Sequence, residues 1–341
     1  MSFRFDRFAT LYLVNPLRIS SSNRMPSIPI LMYHSVSGED NASEAKREAA
    51  AHPYYRTSTS PQRFAEQINY LHGNGYRTVS LADAASGLWR QLPIADKQVA
   101  EKQVVVTFDD GYQDFYRHAF PVLSQCGFSA TVFLPTSYIR ETPTSFKGRD
   151  CLTWAEVREL NQHGIRFGSH TVTHPQLRDL SPSAVKDEIF SSKKTIEEKL
   201  GGEVDSFAYP YAFPQTDTDF RKMLRDLLLQ AGYRNGVCTI VGLARSKSDA
   251  FFMERLPVNS CDDDALFQAK LTGAYDWVAK FQYASKMIKA CLRGVSLGSK
   301  YRVPKDFPAV HGEAGNGPCP PETCSRQPPL VIKETRSSSR S

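Results

Sequence analysis

Residues 104–111 read Val104-Val105-Val106-Thr107-Phe108-Asp109-Asp110-Gly111. Five β-branched or aromatic residues in a row predict a strand buried on both faces, and the two carboxylates and glycine after them predict where it ends. Strands of this kind belong to parallel sheets covered by helices. In a parallel barrel they deliver whatever follows them to the C-terminal rim, where such folds keep their active sites. Asp-Asp-Gly by itself also fits a helix N-cap beside a solvated acid, so the rest of the chain has to decide.

On either side of this stretch, apolar runs and capped helical patterns alternate without a long break from about Ile28 to Ala290, the order expected of βα units. Strands are predicted at Ile30 to His34, Tyr76 to Ser80, Val104 to Phe108, Ala130 to Leu134, Ile165 to Gly168, Phe207 to Tyr209 and Gly236 to Thr239. Between them, Ser60-Pro61 opens a helix with Phe64, Ile68 and Leu71 on one face and Gly73-Asn74-Gly75 after it. Thr153 with Glu156 has the capping-box pattern, and Ser181-Pro182 repeats the Ser-Pro start. Two more helices are expected at Asp264 to Leu271 and Trp277 to Ala290, with Trp277 a core residue. The fold expectation is α/β, a (β/α) barrel of about seven strands, with one domain over residues 25–291 and an N-terminal extension over residues 1–24. Residues 292–341 hold 19 Pro, Gly or Ser and no apolar period, which predicts a mostly disordered tail.

At 341 residues, 41% hydrophobic and 11% aromatic, the chain is long and apolar enough to bury a real core. The formal charge of +6 sits at the two ends: residues 1–24 carry four Arg against one Asp, and residues 292–341 carry eight Lys or Arg against four acids. That leaves −1 for residues 25–291, so the globular part is a poor match for nucleic acid. Seven cysteines, an odd number with no C-x-x-C, predict no disulfide framework; Cys319 and Cys324 lie in the Pro-rich tail and read as idle thiols. The apolar patch Ala9 to Val14 is too short for a signal-peptide core, and no run approaches transmembrane length. These features predict a cytoplasmic protein without a membrane span.

The second chemical stretch is Ser169-His170-Thr171-Val172-Thr173-His174-Pro175, which follows directly on a predicted strand. Two imidazoles four residues apart just past a strand end can converge on one cation, and with Asp110 they make a set of two histidines and one carboxylate. That is the ligand composition of an open hydrolytic metal site. Either histidine alone reads equally as a hydrogen-bonded surface residue.

Thr-Phe-Asp-Asp-Gly (Thr107 to Gly111) followed by Ser-His-Thr-Val-Thr-His-Pro (Ser169 to Pro175) resembles the first two motifs of the polysaccharide deacetylases, the NodB-homology or carbohydrate esterase family 4 group. Phe207-Ala208-Tyr209-Pro210-Tyr211 is similar to the third motif. Leu31-Met32-Tyr33-His34-Ser35-Val36 resembles a late histidine motif that a circularly permuted branch carries near its start. The resemblance covers about residues 28–290 and implies a distorted (β/α) barrel of about seven strands. It also implies a carbohydrate substrate and one divalent metal, most often zinc, held by Asp110, His170 and His174. By the same resemblance Asp109 is the general base on the attacking water, the backbone N–H of Tyr211 faces the oxyanion, and His34 is the general acid for the departing amine. His34 also fits a plain reading as a strand-end imidazole bonded to backbone.

Two features depart from the family pattern. The third motif places an Arg two residues before its Pro to orient the base, and this chain has Ala208 there. Arg255, in Arg255-Leu256-Pro257-Val258, is the candidate substitute, the alternative being a surface salt bridge. The fourth motif is not recognisable; Asp276-Trp277 resembles only a fragment of it. Among Tyr33, Tyr112, Tyr209 and Tyr211, each able to stack on a sugar, Tyr211 is the one assigned to the site. The expectation is an N-deacetylase of hexosamine units, with hydrolysis of a small amide or imide, or a catalytically silent carbohydrate-binding barrel, as alternatives.

Overall fold

Which way alternate side chains point determines how the buried strands close. The computed structural model of the chain describes residues 4–19, 26–38, 56–89 and 102–292. Seven strands run in chain order: β1 (Ile30–Tyr33), β2 (Gln103–Phe108), β3 (Thr131–Leu134), β4 (Arg166–Ser169), β5 (Ser206–Ala208), β6 (Asn235–Val241) and β7 (Met253–Pro257). Each pairs in parallel with the next, and β7 pairs back onto β1 through Leu256 with Leu31 and Pro257 with Met32, so the ring is closed. Ile30, Val105, Phe133, Ala208, Val237 and Met253 point inward as one apolar cluster, while their neighbours Leu31, Val104, Val132, Phe207 and Cys238 face outward under the helices. The period of two then carries the inward face up to the rim. Val105 leads to Thr107 and Asp109, Ile30 to Met32 and His34, and Met253 to Arg255.

Around the ring lie α1 (Pro61–Gly73), α2 (Leu81–Trp89), α3 (Phe120–Gln125), α4 (Trp154–Gln162), α5 (Pro182–Leu200) and α6 (Thr218–Gln230), with α7 (Asp264–Leu271) and α8 (Val278–Leu292) after the last strand. The caps match their sequence signals. The Ser60 hydroxyl accepts from Arg63 N–H, the Ser181 hydroxyl accepts from Ala184 N–H, and Thr153 and Glu156 complete a capping box. No described helix is long and apolar enough to cross a membrane.

The barrel is α/β with seven ring strands, as expected, but its membership differs at one place. Tyr76 to Ser80 supplies only the two-residue strand Arg77–Thr78, which pairs with the start of β2 outside the ring. Its place is taken by Met253–Pro257, a strand that Glu254 and Arg255 hid from any apolar pattern. Trp277 is half-buried rather than core: its indole N–H donates to Thr10 Oγ1 at 3.0 Å and its ring packs edge-on against Phe5. The residues before the barrel contact it further through Arg4, which donates to the Cys261 carbonyl at 2.6 Å, and Asp6, which accepts from the Tyr275 hydroxyl at 2.7 Å. Cys126, Cys151, Cys238 and Cys261 are free thiols. The expected tail, apart from Leu292, lies outside the described residues, and so do Cys319 and Cys324.

Inside the ring, Gly168 of β4 is a position where a side chain has no room. A Cβ there would lie 2.5 Å from the Phe133 ring and 2.9 Å from the Ser206 carbonyl oxygen. Gly168→Ala is therefore expected to lower stability by about 1–3 kcal/mol in urea unfolding, the range for overpacking a close-packed interior. An unchanged midpoint would show that Phe133 gives way freely.

Candidate active site

Strand β2 ends at Phe108, and the Asp109 N–H continues the ladder by donating to the Tyr33 carbonyl at 3.0 Å. Asp109 thus keeps the inward parity of Thr107. The chain then turns, with Asp110 at φ +71° and Gly111 at φ +61°, so two adjacent carboxylates face different surroundings. A Cβ on Gly111 would meet Leu134 Cδ2 at 2.9 Å and Ile139 Cδ1 at 3.1 Å, so only glycine follows the pair closely.

The inward carboxylate meets Arg255, a fully buried guanidinium from β7. Its Nη1 and Nη2 donate to the two Asp109 oxygens at 2.7 Å each, Nη1 also reaches Thr107 Oγ1 at 3.2 Å, and Nε donates to the Cys238 carbonyl at 3.1 Å. Ala208, small and on the inward face of β5, belongs to the apolar layer from which Arg255 rises. Burial alone pushes the Asp109 carboxyl up; Arg255, with His170 and His34 nearby, outweighs it and holds Asp109 below the usual carboxylate range. His34, at the end of β1, brings Nε2 to 3.9 Å from Asp109 Oδ2, and burial pushes its pKa down.

Asp110 turns toward the two imidazoles that follow β4. Its Oδ1 lies 3.1 Å from His174 Nε2 and 3.6 Å from His170 Nε2. The His170 Nδ1–H donates to the Ala208 carbonyl at 2.8 Å, since a carbonyl only accepts, which leaves Nε2 as the bare nitrogen facing Asp110. Burial pushes the His170 pKa down to about 3, so this imidazole is neutral over the ordinary pH range. Asp110 Oδ1 is buried without a hydrogen-bond partner. One ligand atom from each of Asp110, His170 and His174 lies within 4.8 Å of the others. An orphaned carboxylate oxygen beside two convergent imidazoles is a donor set that fits a divalent cation.

Several side chains that hold this arrangement carry no sequence signal. Glu188 of α5 accepts from the Val172 and Thr173 N–H groups at 2.7 and 2.9 Å and from the Thr173 hydroxyl at 2.6 Å, pinning the histidine loop. The other oxygen of Asp110 is taken by the Tyr112 hydroxyl at 2.9 Å and by Lys147 Nζ at 3.3 Å. Lys147 stands at a hairpin tip between Ser145–Phe146 and Arg149–Asp150, with its ammonium 4.5 Å from the Phe146 ring and 5.1 Å from the Tyr211 ring. The Lys147-Gly148 dipeptide, both residues at positive φ, is the one turn signal that could have located it.

Tyr211 is the rim tyrosine: 47% exposed, at φ +56°, its ring 4.5 Å from that of His174. Its N–H makes no hydrogen bond among the described residues. Tyr33, Tyr112 and Tyr209 are buried instead. Asp276 accepts from Leu243 N–H and pairs with Arg245, so the fragment of a fourth motif joins a different network. Every non-glycine residue described at positive φ, namely Asp110, Lys147, Thr171, His174 and Tyr211, belongs to this one site.

The Arg255–Asp109 pair has a measurable signature. Arg255→Met strands a buried carboxylate and is expected to destabilise by about 3–5 kcal/mol in denaturant unfolding. Adding Asp109→Asn should recover part of that loss, so that the double substitution costs less than the two single ones together. Additive losses would show that the two residues are not coupled.

Comparison with known proteins follows the same residues. The family profile described as polysaccharide deacetylase matches residues 96–235. YxkH of Bacillus subtilis (strain 168), whose name places it with the polysaccharide deacetylases, is 31% identical over 232 residues, covering 68% of this chain and 71% of that protein. The poly-beta-1,6-N-acetyl-D-glucosamine N-deacetylase of Escherichia coli (strain K12) is 37% identical over 134 residues, which is 36% of this chain and only 19% of that protein. Among solved structures, the Streptococcus pyogenes deacetylase PplD in complex with acetate has a similar fold, with a TM-score of 0.61 at 24% identity over 73% of this chain and 99% of that one. With both aspartates and both histidines inside the profile match and a 31% identical relative aligned over two thirds of each chain, the chain belongs to the polysaccharide deacetylase family.

Proposed function

We propose that this chain is a metal-dependent hydrolase that removes N-acetyl groups from hexosamine units of a polysaccharide or oligosaccharide. The observation that carries the reading is the pairing of two unlike acids. Asp110 offers a bare oxygen beside two imidazoles, and Asp109 is held ionised by Arg255 without belonging to that donor set. A carbohydrate-binding barrel has no use for a buried base next to a cation site. Asp110, His170 and His174 would hold the cation, and two nitrogens with one carboxylate oxygen suit zinc. A divalent cation there supplies Lewis-acid polarisation of the acetyl carbonyl and acidification of water.

The chain's own residues do the rest. Asp109 accepts the proton of the attacking water as its oxygen bonds to the acetyl carbon, and Arg255 keeps the carboxylate aimed at that position. The negative charge that develops on the carbonyl oxygen meets the Tyr211 N–H, which is free to donate because its left-handed backbone takes it out of the strand ladder. When the carbon–nitrogen bond breaks, the departing sugar amine, which leaves poorly as an anion, takes its proton from His34. In turn His34, 3.9 Å from Asp109, receives the proton that Asp109 took from the water. The products are acetate and a free amino sugar.

The test is elemental analysis for metal combined with acetate release from N-acetylglucosamine oligomers. Wild type is expected to hold about one divalent ion per chain, and His170→Ala and His174→Ala to lose it. Asp109→Asn should keep the metal and lose about 10²–10⁴-fold in turnover, the range for a general base. Equal metal loss in all three variants would sink the separation of roles, and wild type that holds metal without releasing acetate would sink the reaction.

A further inference from the structure

Away from the candidate metal site, six side chains from three elements and one loop line a groove of about 420 Å³: Gln215, Arg221, Ile240, Ala279, Lys280 and Tyr283. Ile240 is on β6, Arg221 on α6, and the last three on α8. Its polar lining is unbalanced. Arg221 and Lys280 are its two charged members, and neither forms an ion pair among the described residues. The Arg221 guanidinium lies over the Phe213 and Phe252 rings at 5.9 and 5.7 Å, and Nη1 reaches only the Gln215 carbonyl at 3.5 Å. Arg221 Nε is buried with no hydrogen-bond partner, and so is Gln215 Nε2. Buried donors without acceptors are rare in folded chains, and two cations without a counter-charge leave the groove suited to an anionic group that takes charge-assisted hydrogen bonds. Asp217, the nearest acid on that loop, is already committed: Oδ1 accepts from Phe220 N–H and Oδ2 from Arg178.

The groove joins the catalytic rim through one short loop. Thr239, the residue before Ile240, donates its hydroxyl to the Tyr211 carbonyl at 2.9 Å and accepts from Phe213 N–H at 2.9 Å. From α8, Lys286 donates to the Phe213 carbonyl at 2.8 Å and Gln282 to the Thr239 carbonyl at 3.2 Å. The loop that carries Tyr211 is thus bonded to β6 and α8, the two elements that supply four of the groove's lining residues. There Tyr283, 49% exposed, and Ile240 present apolar surface of the kind that packs on a sugar face.

We propose that this groove is a second saccharide subsite of the same enzyme, which takes an acidic sugar unit with its carboxylate on Arg221 and Lys280 and its ring against Tyr283. The proposal rests on the hydrolase reading above and makes the substrate a polymer that carries acidic units beside its N-acetylated ones.

Calorimetry on the full chain can compare oligosaccharides of alternating N-acetylglucosamine and glucuronic acid with N-acetylglucosamine oligomers of equal length. The acidic series is expected to bind about tenfold more tightly, since a charge-assisted contact is roughly twice as strong as a neutral one. In Arg221→Gln/Lys280→Gln the acidic series should fall to the affinity of the neutral one. Lys280→Glu, at an exposed position, should lose most of the preference without touching the stacked guanidinium. Equal affinity of wild type for the two series, or a preference that survives both variants, overturns the subsite. If wild type releases acetate from the neutral oligomers yet shows no acidic preference, the groove assignment alone has failed. If it binds neither series and releases no acetate, the hydrolase reading has failed with it.

Discussion

A guanidinium and a carboxylate taken out of water together are stable inside the barrel mouth because each completes the hydrogen bonding of the other. Desolvating two ions costs several kcal/mol apiece, and their attraction offsets that only with near-ideal geometry and no donor left over. Arg255 meets the condition: two parallel bonds to Asp109, a third to Thr107 and a fourth to the Cys238 carbonyl. These contacts tie β2, β6 and β7 together at the rim, so the pair is a structural clasp as well as the setting of the proposed base. It also explains Ala208. With the cation rising from β7, a long side chain on the inward face of β5 would compete for the same interior.

Asp109 and Asp110 show how adjacent residues of one kind are given different properties by backbone conformation. The extended Asp109 stays in register with the barrel interior and its counter-ion; the left-handed Asp110 swings its oxygen out to the histidines. Left-handed backbone on non-glycine residues costs on the order of 1–3 kcal/mol each, and here it is concentrated in five positions around one site. The surroundings hold those positions in place. Glu188 binds two N–H groups of the histidine loop, the Thr171 hydroxyl accepts from His174 N–H at 3.0 Å, and Thr239 holds the Tyr211 carbonyl.

The parts of this arrangement that were legible in the sequence are those with a period or a motif. Buried strands such as Val104 to Phe108 announce themselves by composition, and the parity of side chains along them carries Asp109 to the inside. Met253–Pro257 was illegible as a strand because two charged residues interrupt it, yet one of those charges is the reason it matters. Arg255 could be nominated only through a gap, the alanine standing where a cation was needed. Lys147 and Glu188 reach the site by tertiary approach from a hairpin tip and a helix flank, which at most marks a turn in the sequence, while Tyr112 is two residues from Asp110 and no motif records the bond of its hydroxyl to that carboxylate.

The boundary of the family match separates two kinds of residue. Residues 96–235 contain both aspartates, both histidines and Tyr211, the proposed cation ligands, base and oxyanion donor. Arg255 and α8 come from the chain after that boundary, and His34 from before it. The cation that orients the proposed base and the helix that braces the Tyr211 loop thus come from parts of the chain outside the profile match. Because Gln282 and Lys286 of α8 bond to the very carbonyls that set that loop, a change in how α8 packs would move the Tyr211 N–H and the groove together. The proposed oxyanion contact at Tyr211 and the proposed groove beside α8 are thus set by one shared piece of backbone.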